Sequence, residues 1–474
     1  MATSAITAPT YDPTSTAKAL ADKYINGAQT QLTNQTNTAT ATAKALSTLG
    51  SAISDFQTAL ASLSGIGKSL LAQSAVVSDT TIGTATAKST APTGTYSLFV
   101  QQVATSSQVS YNSLADGAAL GGKLTINLAD EGAGTNTAHF DVKLDATADT
   151  DHDGKLSVRE IAAAINGASG NTGLVSAGVI TVSGTPRLVL SSKNTGVANT
   201  VSVDGSNATD AGLQAGFAPA ARTIVKSAQD AIVWLGDPAD PAATKLQQAS
   251  NTFTNIDGVA FTATKAQAPG SDPVTLTVSS DRSGTAKNVQ AFVDAYNKLK
   301  SALDGLVTSG DPANNVAAGA FAHDSGVLAL RDRMISLLRP AGILSLASYG
   351  ITAARDGSLS LDTSRLQSQL TVNPTGLDTL VGTASTATPT GIAGSLNTYL
   401  NQWSNASTGQ IKQRTEANTK LQSNLTQRQT DLNTKYDAAY QRYLKQYTDL
   451  QALQAQMQQN SSMFTALFSS DSSN

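Results

Sequence analysis

The chain changes from helical to strand-like periodicity and back again, and this change limits the folds open to it more than any other feature. Between residues 45 and 65, the large apolar side chains are separated by alternating steps of three and four residues. They are Leu46, Leu49, Ile53, Phe56, Leu60 and Leu63. This spacing is that of the a and d positions of a coiled-coil heptad, so it predicts a helix with one apolar face.

A second helical stretch runs from about residue 391 to residue 459, where the sequence contains no proline. Its apolar residues also recur mostly at steps of three and four, interrupted by Arg428 in a core-like position. The predicted packing residues are Leu421, Leu425, Leu432, Tyr436, Tyr443, Leu450, Leu453 and Met457. We expect the two helical ends to pair with each other as a scaffold, and a polar residue in the seam to set register or oligomeric state.

The middle of the chain reads as strands, because apolar residues alternate there with Thr or Ser between turn-forming residues. The segments lie at 94–104, 123–128, 139–144, 179–184, 187–192, 200–203, 259–264 and 274–280. One helix, over 157–166, interrupts them, and helical spacing returns from residue 281. The pattern predicts two small antiparallel β-rich domains.

The predicted fold class is therefore α+β and multidomain, with a helical coiled coil or bundle formed by both chain termini and two inserted antiparallel β-rich domains. Six segments follow from the changes of period. They are an N-terminal helical leg (1–45), the first helix of a bundle domain (46–75), a β-rich head domain (76–112 with 222–280), an inserted β-rich domain with one helix (113–221), the rest of the bundle (281–395) and a C-terminal coiled-coil leg (396–474).

Composition and motifs argue against several function classes. The 474 residues include 31 basic and 34 acidic side chains, a net charge of −3 that does not favour nucleic acid as a partner. The absence of cysteine removes disulfides, thiolate metal sites and cysteine nucleophiles. His139, His152 and His323 lie far apart in the sequence and form no HExxH pair. No nucleophile–base arrangement or phosphate-binding loop is recognisable, so we do not expect an enzyme.

The N-terminal residues do not resemble a targeting segment. MATSAITAPTYDPTSTAKAL lacks the basic and apolar regions of a secretory signal peptide. No apolar run approaches the roughly 18 residues of a membrane span. If the protein acts outside the cell, we expect another export route.

Residues 149–160, DTDHDGKLSVRE, match the twelve-residue calcium loop of an EF-hand, with Gly154 at the sharp turn. The candidate ligands, at positions one, three, five, seven, nine and twelve, are Asp149, Asp151, Asp153, Lys155 through its carbonyl, Ser157 and Glu160. The preceding segment reads as a strand and not as the entering helix of an EF-hand. A capping box from Ser157 to Glu160 would explain part of the same pattern. A structural Ca²⁺ site and a simple helix cap both stay open, and no other cofactor is expected.

Several ordered segments resemble the flagellar hook-associated protein 2 family. The resemblance spans nearly the whole chain and is weakest from 204 to 250. The segments are GTYSLFVQQVATSSQVSY (94–111), the AIN to RLVLSS region (161–203), NTFTNIDGVAFTATKAQ (251–267), the PVTLTVSS region (273–299), YGITAARDGSLSLDTSRL (349–366) and the closing YDAAYQRYLKQY helix (436–464).

The resemblance implies a secreted, non-catalytic filament cap. Such caps are homo-oligomers, commonly pentamers, whose β domains form a plate at the filament tip and whose helical termini form legs. The plate retains exported flagellin and promotes its folding and incorporation. The implied partners are further copies of the chain, flagellin, the hook–filament junction protein and an export chaperone, and the implied route is the flagellar type III export apparatus.

Two alternative functions fit parts of the same pattern. One is another axial component of the flagellum, such as a hook–filament junction protein. The other is a surface adhesin that uses its β domains for cell adhesion. Direct binding by the middle domains would indicate an adhesin.

Overall fold

The computed structural model describes residues 11–130, 135–339 and 345–469. Helices occupy both ends and antiparallel sheets the middle, which confirms the predicted α+β class. The helices are α1 (Pro13–Ser64), α2 (Val158–Gly167), α3 (Ala211–Gly216), α4 (Arg282–Val307), α5 (Ser325–Leu337), α6 (Thr363–Val372), α7 (Gly376–Val381), α8 (Gly391–Ser404) and α9 (Gln410–Ser469).

The strands belong to several small sheets. They are β1 (Ala72–Val77), β2 (Gly83–Ala87), β3 (Gly94–Gln102), β4 (Ser106–Tyr111), β5 (Ala118–Ala119), β6 (Lys123–Asp130), β7 (Thr135–Lys143), β8 (Lys155–Leu156), β9 (Val175–Val182), β10 (Thr185–Thr195), β11 (Thr200–Asp204), β12 (Arg222–Lys226), β13 (Ala231–Leu235), β14 (Thr244–Gln248), β15 (Thr252–Phe253), β16 (Val259–Ala263), β17 (Val274–Asp281), β18 (Ile351–Ala353) and β19 (Leu359–Leu361). The chain divides into two compact units, Leu71–Thr285 and the residues on either side of it.

The helical unit contains both long helices. Asp12 caps the start of α1, because its carboxylate accepts hydrogen bonds from the main-chain N–H groups of Thr14 and Ser15. The second half of α1 packs on other helices of this unit. Phe56 meets Tyr296 of α4 edge-on with ring centroids 6.5 Å apart, and Gln57 and Asn397 of α8 are joined by a 2.9 Å hydrogen bond. The apolar face of residues 46–60 is therefore buried within the helical unit.

The β unit contains two separate apolar cores. The first lies between a five-stranded sheet, in the order β1-β17-β3-β13-β14, and a three-stranded sheet, β15-β16-β2. Alternate residues of these strands are buried, as along β16, where Val259, Phe261 and Ala263 are buried and the residues between them are partly exposed. Period-two alternation therefore builds this core, as the sequence predicts.

The second core lies between the β12-β4-β10-β9 sheet and the β11-β6-β7 sheet, with α2 packed against it. Val158, Ile161 and Ile165 form the buried face of α2. The loop between β7 and α2 is anchored in the same core by Ala148 and Leu156. This loop is the acidic segment that matches the EF-hand pattern.

Some predicted segment boundaries fall inside observed elements. The division at 45/46 lies within the continuous helix α1, and 72–75 belong to strand β1 and not to a helix. The division at 395/396 lies within α8. Strands β4 and β12, which the sequence assigns to the head domain, pair with each other, and β4 also pairs with β10 of the second core. Long-range pairing determines where β4 and β12 belong, and the local pattern does not contain that information. The domain scheme as a whole remains a prediction.

Candidate functional site

Helices α1 and α9 pair along much of their length and run in opposite directions. Near one end, the Tyr11 hydroxyl donates to the carbonyl of Tyr447 at 3.3 Å, and the two rings lie 5.5 Å apart. In the middle, Gln29 faces Gln429. Towards the other end, Gly50 lies against Ile411. Residue numbers rise along one helix as they fall along the other, so the two chain ends form an antiparallel pair with one constant register.

The apolar contact between these helices is narrow. One cluster contains Leu32 and Ala39 of α1 with Leu425 and Leu432 of α9, and Ile25 packs against it. In each helix the two buried residues are seven positions apart, as expected of a single heptad row. This row of large apolar residues is short for helices of 52 and 60 residues.

Polar groups fill other positions of the same seam. The side-chain amides of Gln29 and Gln429 exchange two hydrogen bonds, of 3.0 and 2.9 Å. Buried Asn418 donates to the main-chain carbonyl of Ala39 at 3.0 Å. Arg428, which the sequence places in a core-like position, donates to the Gln35 side chain at 2.8 Å and is itself exposed. Polar groups in a seam fix register and lower stability, so this pair has a defined register but modest strength.

The predicted packing residues divide into three groups. Leu46, Leu49, Ile53, Phe56, Leu60, Leu425 and Leu432 are buried, and Leu63, Tyr436 and Tyr443 are half-buried. The prediction is wrong, within this chain, for four residues that are 40 to 64% exposed, Leu421, Leu450, Leu453 and Met457.

The register of the pair explains the four exposed residues. The row of Asn418, Leu425, Leu432 and Ala439 is buried at seven-residue steps, and the half-buried Gln422 precedes Leu425 on the same face. Leu421 is the residue before Gln422, and its side chain therefore lies outside the buried row. The positions from Leu450 onward lie beyond the level at which Tyr447 meets Tyr11. A search for strict seven-residue spacing, including small and polar residues, would have found the true row.

Three aspartates of the acidic loop converge. Carboxylate oxygens of Asp149, Asp151 and Asp153 lie within 4.8 Å of one another, and this is the one group of three or more candidate metal-binding side chains within the described parts of the chain. Gly154 turns the loop at a φ of +79°, and its N–H donates to Asp149 Oδ2 at 2.9 Å. The sequence prediction that these three side chains share one site is consistent with this geometry, whereas the structure does not bring the three histidines into it.

The Glu160 carboxylate does not join that group, so its predicted role as the ligand at position twelve is corrected. The side chains of Ser157 and Glu160 form a complete capping box at the start of α2. Glu160 Oε1 accepts from the N–H groups of Thr150 and Asp151, at 2.7 and 3.3 Å, while Oε2 accepts from the N–H and hydroxyl of Ser157, both at 2.9 Å. The first N–H groups of a helix have no acceptor within the helix. The Glu160 carboxylate, which would be a metal ligand in an EF-hand, here accepts hydrogen bonds at the start of α2 instead.

Hydrogen bonding and charge shift the pKa values of two loop carboxylates in opposite directions. The main-chain N–H of Ser157 is the largest cause that lowers the pKa of Glu160 to about 2. Desolvation opposes that bond, and the Ser157 hydroxyl and Thr150 add to it. The N–H of Asp153 lowers the pKa of Asp151, but desolvation and the negative charges of Asp153, Glu160 and Asp149 outweigh it, so this pKa is raised. The loop is thus a concentrated negative field around Asp151.

Within the parts of the chain that the structure describes, no helix combines the length and the apolar character that a bilayer crossing requires.

Comparisons with known proteins agree on one family. The family model described as the N-terminus of flagellar hook-associated protein 2 matches residues 10–107, and the model described as its C-terminus matches residues 228–459. The acidic loop lies between these two ranges.

Individual proteins support the same family. The lateral flagellar hook-associated protein 2 of Vibrio parahaemolyticus is 34% identical, over 80% of this chain and 83% of that protein. The B-type flagellar hook-associated protein 2 of Pseudomonas aeruginosa is 33% identical over 92% of each chain. The crystal structure of the D1-D2-D3 domains of the flagellar cap protein FliD from Escherichia coli matches with a TM-score of 0.56 and 26% identity, covering 79% of this chain and 99% of that one. With more than half of its residues matched by the two models, the chain belongs to the flagellar hook-associated protein 2 family.

Proposed function

We propose that the protein is a flagellar filament cap, a homo-oligomer at the filament tip that retains exported flagellin and promotes its folding and incorporation. Family membership and the likeness to a solved flagellar cap protein support this proposal. The observation that carries it is the antiparallel pairing of the two ends of the chain around a β-rich middle. In such a chain the paired helices can form a leg, and the sheets can form part of a plate.

The chemistry of the helix pair suits a leg that must rearrange. A seam of continuous leucine would hold the two helices in one arrangement, whereas the described residues of this pair show a cluster with only three leucines and several amide hydrogen bonds. Separated amides can bond to water, so opening the pair costs less than opening an apolar seam. We infer that the leg changes its contacts as subunits are added beneath it.

The proposed partners and location follow from this role. The protein would assemble with copies of itself, in a ring of head-to-tail contacts such as a pentamer, and would contact flagellin and the hook–filament junction protein. It would leave the cell through the flagellar type III export apparatus with an export chaperone. The proposed activity is structural and involves no catalytic step.

Electron microscopy of a gene-deletion strain, together with its spent medium, tests the cap function. We expect short or absent filaments and monomeric flagellin in the medium, and recovery of both when the wild-type gene is returned. Normal filaments in the deletion strain would contradict the proposal and bring the adhesin function forward.

A matched pair of variants tests the leg. Leu425→Asp with Leu432→Asp places two charges in the apolar cluster of the helix pair, so we expect it not to restore filaments. Leu421→Asp makes the same change at a side chain that is 49% exposed, and we expect it to restore them. The level of each variant in the medium separates failed export from failed capping. Full-length filaments with the double variant would refute the leg role alone.

A further inference from the structure

The acidic loop contains a buried carboxylate oxygen without a partner. Asp149 is only 5% exposed. Its Oδ2 accepts the N–H of Gly154, but its Oδ1 is buried and has no hydrogen-bond partner among the residues that the structure describes. A buried polar atom left unpaired is costly, and more so when it belongs to a charged group. Asp149 Oδ1 is therefore a candidate ligand atom for a cation.

Two further carboxylates lie close to the carboxylate of Asp149. Asp151 and Asp153 are exposed, and their oxygens lie within 4.8 Å of those of Asp149. Three carboxylates at this distance repel one another, and no Lys or Arg forms an ion pair with any of them in the described parts of the chain. A cation bound between them would remove the repulsion and would give Asp149 Oδ1 a partner.

We propose that Asp149, Asp151 and Asp153 bind one Ca²⁺ ion. The side-chain donors are all hard oxygens, which favour Ca²⁺ or Mg²⁺ over transition metals, and His152 is not part of the group. The aspartates occupy positions one, three and five of a loop whose Gly154 makes the turn at position six. The Lys155 carbonyl at position seven and water complete the six to eight oxygens that Ca²⁺ takes, whereas Mg²⁺ demands a stricter octahedron.

Glu160 distinguishes this site from an EF-hand. Both of its oxygens are engaged in closing the loop and capping α2. The ion therefore has three carboxylates and no bidentate glutamate. Fewer charged ligands give weaker binding, so we expect a Kd on the order of 10⁻⁴ to 10⁻³ M, the range of extracellular calcium modules. Because Ala148 and Leu156, which flank the loop, lie in the second core of the β unit, the ion would stabilise that core.

Calorimetric titration of the full-length chain with CaCl₂ tests the proposal. We expect one ion per chain, with Mg²⁺ binding at least tenfold more weakly. Amide exchange in peptides covering 149–160 should slow by about tenfold at a Ca²⁺ concentration ten times Kd, because only the folded loop binds. No saturable heat in the wild-type chain, or equal binding of Mg²⁺, would overturn the assignment.

Three variants identify the ligands. Asp149→Asn keeps an acceptor for Gly154 but removes the buried charge, and we expect it to abolish the heat and the slowed exchange. Asp151→Asn with Asp153→Asn keeps both acceptors within the loop and should weaken binding at least tenfold, so it decides the question if Asp149→Asn does not fold in chelator. Asp145→Asn is the control, because the Asp145 carboxylate accepts hydrogen bonds from Thr147 and lies outside the cluster. Unchanged affinity in the first two variants, or equal loss in the control, would refute the site.

Discussion

The carboxylate of Glu160 closes the acidic loop from the inside. It joins residues 150 and 151, before the turn, to Ser157 after it, and it caps the helix that follows. These hydrogen bonds favour the ionised form, which is why the pKa of Glu160 falls to about 2 from the usual 4.5. One side chain thus couples the shape of the loop to the start of α2.

The depressed pKa makes the contribution of Glu160 to stability dependent on pH. Because folding lowers the pKa, the contribution is fully present above the unfolded value of 4.5 and disappears as the pH falls towards 2. We expect Glu160→Gln, measured in chelator, to be less stable than the wild-type chain by about 1 to 3 kcal/mol at neutral pH. The difference should vanish near pH 2. Amide exchange of α2 as a function of pH measures it.

A surface glutamate provides the control for this pH dependence. Glu416 lies in an exposed pair with Lys412, and exposed pairs contribute little. Glu416→Gln should leave the exchange of α2 unchanged at every pH. If Glu160→Gln were as stable as the wild-type chain at neutral pH, the inference that ionised Glu160 stabilises the loop and the start of α2 would be wrong.

The pair of long helices depends on few apolar contacts, so single leucines should have unequal effects. We predict that Leu425→Ala, at a residue 2% exposed, lowers the stability of the pair by about 2 to 4 kcal/mol. Leu421→Ala, at the exposed neighbouring position, should change it by less than about 0.5 kcal/mol. Amide exchange in the paired part of α9 reports both. Equal effects of the two changes would contradict the register in which Leu425 faces α1 and Leu421 faces solvent.

The amide pair in the seam leads to a separate prediction about strength. Gln429→Leu alone leaves the Gln29 amide without its partner in α9 and should speed exchange in both helices. Gln29→Leu with Gln429→Leu replaces the pair by apolar contact and should slow exchange below the wild-type rate. A double-mutant cycle, from Gln29→Leu, Gln429→Leu and the double variant, isolates the coupling free energy between the two amides. Additive effects would show that the two amides do not act together.

The local sequence pattern predicts the helices and strands of this chain better than it predicts which of them pack or pair with each other. Changes of period located both long helices and most strands, because burial on one face imposes that period directly. The sequence predicts less well which residues of α9 face α1. Asn418 and Gln422 lie on that face, and a search for apolar residues alone does not include them. The pairing of β4 with β10 was also missed, because it joins residues about 80 positions apart. In the acidic loop, the sequence is compatible with Glu160 as ligand or as helix cap, and only its three-dimensional contacts distinguish the two roles.

The two compact units have different sources of stability. Among the described residues, the two apolar cores of the β unit are built from residues 77 to 278, which lie outside α1 and α9. The first half of α1 instead packs on α9, and both segments need that contact, since isolated helices rich in Thr, Asn and Gln are marginal in water. Damage to one end of the chain should therefore weaken the other end of the chain and spare the sheets.

Removal of residues 431 to 474 tests this separation and the proposed cap function together. The truncation deletes Leu432 and every residue of α9 that faces the first turns of α1, including Tyr447. We expect the sheets to keep their circular-dichroism signal and melting transition, while exchange in the first half of α1 becomes fast. In the deletion strain, the truncated chain should not restore filament growth.

The outcome separates two ways in which the truncation could fail. If the truncated chain reaches the medium with its sheets folded and filaments stay short, the paired ends are needed at the filament and not for folding of the middle. Full-length filaments would contradict the leg role, because a chain without that half of the pair would then cap normally. Loss of the sheet signal would instead contradict the independence of the β cores. Each result therefore bears on a different inference, the first two on the helix pair and the third on the β cores.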